Sequence, residues 1–92
     1  MKHSNRINLY KNLFERNKEK QLIVALEELS ELQKEITKNL RKKSNIDNLI
    51  EEIADVQIII EQLKYYFNIP EESVNEVMEY KLERTKKILN IE

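Results

Sequence analysis

Two short stretches of this chain carry carboxylates one helical turn apart. The first is Glu28-x-x-Glu31, within EELSELQKE; the second is Glu52-x-x-Asp55, within EEIADVQIII, the most apolar part of the sequence. A carboxylate beside apolar surface must be protonated, paired with Lys or Arg, or bound to a cation, because burying an isolated charge costs far too much. A site built only of carboxylate oxygens suits a hard divalent cation, Mg²⁺ or Mn²⁺. Other chemistries have little to work with. There is no cysteine, so neither a disulfide framework nor a thiolate metal site can form. The single histidine, His3, stands beside the N-terminus, which argues against Ser-His and Cys-His catalysis.

Helices must position these acids. The sequence has no Gly and one Pro, and it is dominated by Leu, Glu, Lys, Ile and Gln, all compatible with helix. A first helix is predicted over about Asn5 to Arg16, with Ile7, Tyr10, Leu13 and Phe14 as its apolar stripe. ERNKEK is either a joint or a stretch through which the helix continues, and a long second helix follows from about Lys18 to Arg41, with Leu22, Leu26, Leu29, Ile36 and Leu40 recurring at helical spacing. Its basic end, Arg41 to Lys43, suits the negative end of a helix dipole. Ser44 reads as the N-cap of a third helix, about Asn45 to Phe67, in a Ser-x-x-Asp signature. Asn68 can take the left-handed conformation that ends a helix. Pro70 opens a fourth helix that runs to about Leu89, with Val74, Val77, Met78, Leu82 and Leu89 as core contacts.

At about 100° per residue, Glu27, Ser30 and Lys34 lie opposite the apolar stripe of the second helix and face water. Glu28 stacks between Val24 and Leu32, and Glu31 extends the same edge. On the third helix Asp55 stacks beneath Ile58 and Ile59, with Glu52 one turn earlier. A short loop makes the two helices antiparallel neighbours. Glu31 precedes Arg41, and Asp55 follows Asn45, by the same roughly 15 Å, so the two acid pairs meet at about one level. Glu35 and Lys38 continue the Glu28–Glu31 edge as an intrahelical salt network. Glu27 and Glu51, each one position earlier than a motif acid, either support the cation-binding acids or stand in water. Tyr65, Tyr66 and Phe67 pack a helix end, while Tyr10 and Phe14 are weak candidates for stacking on a base.

The spacing of these motifs resembles the ExxE…ExxD signature of the MazG-like all-α nucleoside triphosphate pyrophosphatases, with the dimeric dUTPases and phosphoribosyl-ATP pyrophosphatases as relatives. The resemblance covers about Gln21 to Leu89, including EELSEL and EEIADV. It implies an all-α, four-helix bundle-like fold and a Mg²⁺-dependent hydrolase, with Mn²⁺ as a substitute. Such an enzyme splits a nucleoside triphosphate into a monophosphate and pyrophosphate. Glu28, Glu31, Glu52 and Asp55 become the metal-ligating catalytic residues. Lys81 and Arg84, in YKLERTKK, become phosphate-binding candidates, though both also suit a helix C-terminus. No base-reading motif is legible.

Composition sets the remaining expectations. Ninety-two residues suit one domain, and sixteen basic against seventeen acidic residues leave a formal charge of −1. No strong field favours a nucleic acid polymer or a membrane. No apolar run approaches the ~20 residues of a membrane helix, and a cytoplasmic location is expected. Val56 to Ile60 are apolar almost all round, more than a chain of this size covers by itself. A homodimer, or a homotetramer built from it, is the expected remedy. The alternative to an enzyme is a non-catalytic helical oligomerisation or nucleotide-binding module, which has no need of four carboxylates at one level.

Overall fold

Helix propensity and capping account for the elements in turn. The computed structural model describes residues 1–43 and 45–92 and contains α1 (His3–Arg16), α2 (Lys18–Leu40), α3 (Ile46–Tyr66) and α4 (Glu71–Ile88), with no strand among the described residues. Asn17 breaks α1 from α2 by becoming extended, and its side chain accepts from Lys20 N at 2.9 Å. The cap expected at Ser44 lies outside the described residues. The Asn45 side chain takes that role, accepting from the backbone N–H groups of Asp47 and Asn48. Pro70 caps α4, with Glu71 and Glu72 in the first turn, where acids complement the positive helix end. No helix among the described residues is long and apolar enough to cross a membrane.

Three helix ends close without glycine. Lys42, Asn68 and Asn90 each adopt positive φ, at 59°, 53° and 57°. The next residue's N–H then reaches back across the last turn: Lys43 to the Lys38 carbonyl, Ile69 to Lys64, and Ile91 to Lys86. This is the Schellman arrangement, in which one left-handed residue satisfies carbonyls that the helix leaves open.

The packed unit is α1, α2 and α3. The antiparallel α2–α3 pair forms the main interface, and α1 lies against both. Aromatic rings fasten α1 to the end of α3. Phe14 stacks on Tyr66 at 4.5 Å between centroids, and both Tyr10 and Phe14 tilt against Tyr65. The Tyr10 hydroxyl donates to Glu61, which also pairs with Arg6 at 2.7 Å. Burial, followed by the Glu61 hydrogen bond, pushes the Tyr10 phenol up to about 12. Tyr10 and Phe14 are buried in this cluster, so they are not free to stack on a base.

Helix α4 stands outside this unit. No residue of α4 is buried, and Val77, Met78, Leu82 and Leu89, expected as core contacts, are exposed in the single chain. The Lys64–Glu71 ion pair ties its first turn to α3 at 2.9 Å. The Cα radius of gyration is 16.3 Å, against about 12 Å for a compact domain of this length. The four helices therefore do not close into a bundle within one chain.

Lys42 is the left-handed position least suited to its residue, since a lysine has neither the freedom of glycine nor the short polar side chain of asparagine. Lys42→Gly is expected to stabilise the fold by about 0.5–1 kcal/mol, the relief of backbone strain being partly offset by a more flexible unfolded chain. An unchanged or lowered urea midpoint would contradict this.

Candidate metal centre

The inward face of α2 differs from the stripe drawn through its leucines. Ala25 and Glu35 are buried, and Leu22, Glu28 and Leu32 are half-buried. Leu26 is 67% exposed, Ile36 51% and Leu40 80%. On α3 the inward line is Leu49, Glu52, Val56 and Ile59, while Ile46, Ile50, Ile53, Ile58 and Ile60 are exposed. Glu28, Glu35 and Glu52 thus lie in the seam between the helices, and the larger aliphatic faces point away from it.

Antiparallel packing aligns the acids in the order of their spacing. One carboxylate oxygen from each of Glu28, Glu52 and Asp55 lies within 4.8 Å of the others. Burial raises the Glu28 carboxyl above its ordinary value of 4.5, and the charges of Asp55, Glu52 and Glu31 raise it further. Asp55 stands close enough to Glu28 to make the Glu28 carboxyl harder to ionise. The Glu52 carboxyl is raised from the same value, first by burial and then by Asp55, Glu31, Glu35 and Glu51. The neighbouring charges that raise these two groups are acidic. Glu52 Oε2 is buried and has no hydrogen-bond partner among the described residues.

The other sequence candidates are placed less centrally. Glu31 is exposed and pairs with Lys34 at 3.1 Å. It lies near enough to act on Glu28 and Glu52 but outside the tight group of three. Glu27 and Glu51 are exposed, and Glu51 acts on Glu52 only through its charge. Lys81 and Arg84 are exposed on α4, and neither is among the groups that act on Glu28 or Glu52. One chain does not bring these cations to its own acids.

Glu35 is the residue that sequence reasoning undervalued. Its ion pair with Lys38 is present at 3.1 Å, as expected of neighbours on a helix surface. Yet Glu35 is only 8% exposed, and its Oε2 is buried without a partner. The signal was available in the spacing: Ala25, Glu28, Leu32 and Glu35 follow one another by three and four residues, which puts them on one face. Searches against known protein families, curated proteins and solved structures find no match for this chain.

The raised carboxyls set a sign for stability against pH. Between 4.5 and the raised native values, the folded state holds protons that the unfolded state has released. Stability from these groups is therefore present at low pH and lost as pH rises through the native values. In chelator-treated protein, Glu52→Gln should gain melting temperature over wild type as pH rises from 4.5 toward neutrality. A difference that stays constant or shrinks with pH would show that Glu52 is not held in an acidic field.

Proposed function

We propose that the protein is a MazG-like nucleoside triphosphate pyrophosphohydrolase, dependent on Mg²⁺ or Mn²⁺, that cleaves the α–β phosphoanhydride to a nucleoside monophosphate and pyrophosphate. The observation that carries this reading is the convergence of Glu28, Glu52 and Asp55 within 4.8 Å across two facing helices, among acidic neighbours that raise Glu28 and Glu52. The donor set fits a hard divalent cation, being all carboxylate oxygen, and the unpartnered Glu52 Oε2 is an acceptor that such a cation would satisfy.

When bound, the metal would neutralise the triphosphate and lower the pKa of a coordinated water. Glu28, Glu52 and Asp55 would hold the metal, with their carboxylates positioned by two helices packed together. Glu31 would join them only by giving up Lys34, an exposed partner whose ion pair is worth little. One carboxylate of this group would serve as the acceptor for a proton of the attacking water. Lys81 and Arg84 hold phosphates from a second subunit, since α4 carries them away from the acids of its own chain.

That second subunit is the other half of the proposal. The exposed leucines of α2, the exposed isoleucines of α3 and the unsupported α4 leave apolar surface that a homodimer, or a homotetramer, would bury. No large side chain among the described residues falls below 2% exposure, so the core is incomplete in the single chain. Sedimentation over a wide dilution series should show an obligate oligomer with little folded monomer. A folded, active monomer would remove the shared site.

The activity is tested by pyrophosphate release with Mg²⁺ across canonical and modified nucleoside triphosphates. Asp55→Asn, nearly isosteric, should retain helix content and lower kcat by at least about 100-fold, because even the loss of an outer partner of a metal ligand costs 10–100-fold. Near-wild-type turnover in this variant would exclude Asp55 from the reaction. Absence of pyrophosphate release with every triphosphate would leave the non-catalytic module as the better reading.

A further inference from the structure

The α2–α3 seam contains two buried carboxylate oxygens without hydrogen-bond partners among the described residues, Glu35 Oε2 on one helix and Glu52 Oε2 on the other. They belong to inward lines that face each other. Glu35 lies one turn beyond Glu31 along α2, and Glu52 one turn before Asp55 along α3. In an antiparallel pair these displacements run the same way, so Glu35 stands on the Glu52 side of the three-carboxylate group. Its charge is among those that reach Glu52. The Glu35 side chain is 10% exposed, and Lys38, itself largely exposed, engages only Oε1.

A salt bridge to Lys38 does not explain this arrangement. An ion pair between neighbours on a helix gains only a few tenths of a kcal/mol, and it is available to a solvent-facing glutamate without burial. Burying the second oxygen opposite another carboxylate is unfavourable unless something positive is shared between them. Aliphatic residues at position 35 would pack the same seam without that cost.

We propose that Glu35 is an additional ligand of the divalent-cation site, binding through Oε2 and extending the site from Glu28, Glu52 and Asp55 along the helix seam. Glu52 stands between the two ends, facing Asp55 on one side and Glu35 on the other. Lys38 remains on Oε1 and competes weakly with the cation for the carboxylate charge. This inference rests on the cation-binding part of the function proposed above and is independent of whether a nucleotide is cleaved.

Mn²⁺ alone is the probe, titrated into the full chain and followed by calorimetry and by the electron paramagnetic resonance of the free ion. Glu35→Gln keeps shape and removes the charge. It should weaken Mn²⁺ binding by about 10-fold or more, well beyond the effect of Glu51→Gln, which removes an exposed charge near the same site. Lys38→Met should tighten binding about two- to fivefold, the scale of an exposed ion pair, and this gain should vanish in the Glu35→Gln background. Equal effects of Glu35→Gln and Glu51→Gln, with Glu52→Gln still strongly impaired, would overturn the role of Glu35 and leave the three-carboxylate site standing. A gain from Lys38→Met that persists without Glu35 would overturn it too, and if Glu35→Gln does not fold, Lys38→Met alone decides, with no tightening of Mn²⁺ binding overturning the role of Glu35. No Mn²⁺ binding by wild type would remove both the site and its extension.

Discussion

The structure depends on carboxylates held inside the main helix–helix interface. Packing α2 on α3 buries parts of Glu28, Glu35 and Glu52 in the same step that buries Ala25, Val56 and Ile59. The favourable and unfavourable terms therefore cannot be separated: the helices cannot associate in this way without bringing the acids together. The raised Glu28 and Glu52 carboxyls are a mark of the repulsion, and the Lys34 and Lys38 ion pairs are partial answers to it. These ion pairs sit at the rim, where water screens them, so they relieve the seam only in part.

Acids inward imply aliphatics outward. The exposed faces of α2 and α3 carry Leu26, Leu29, Ile36, Ile50, Ile53 and Ile58, an apolar surface that a small soluble domain does not normally leave open. Helix α4 adds Val77, Met78 and Leu82 on an element joined to the rest mainly through the end of α3. A second chain laid over these faces would complete the hydrophobic core and bring cationic side chains toward the acids, so one association would meet a packing need and an electrostatic one.

Much of this was legible in the sequence. The four helices follow from propensity and from punctuation at Asn68 and Pro70, and Asn68 adopts the left-handed backbone expected of it. The meeting of Glu28 with Glu52 and Asp55 follows from equal distances to the α2–α3 loop. The rotation of α2 was only partly legible: the spacing contains the line through Ala25, Glu28, Leu32 and Glu35, but the leucines of α2 define a stronger apolar stripe. A stripe read from sequence marks what must be buried somewhere, and here the single chain buries the weaker one. For the same reason Glu35 reads as part of an intrahelical salt network continuing the Glu28–Glu31 edge, and α4 as a member of the core. Tyr10 and Phe14 were read as partly available for ligand, whereas their rings meet Tyr65 and Tyr66 across a distance in sequence that local pattern does not convey.

The inward line of α3, Leu49, Glu52, Val56, Ile59 and Leu63, advances by alternating steps of three and four, and that of α2 does the same through Ala25, Glu28, Leu32 and Glu35. This is the heptad seam of an antiparallel coiled coil with charged residues at core positions. Aliphatic seams tolerate sliding by a turn, because one methyl-lined layer resembles the next. A polar layer does not, and buried polar residues at such positions are known to specify register at a cost in stability. A one-turn slip here would change which carboxylates face one another and break up the group formed by Glu28, Glu52 and Asp55. The acids that make a cation site thereby also index the two helices against each other.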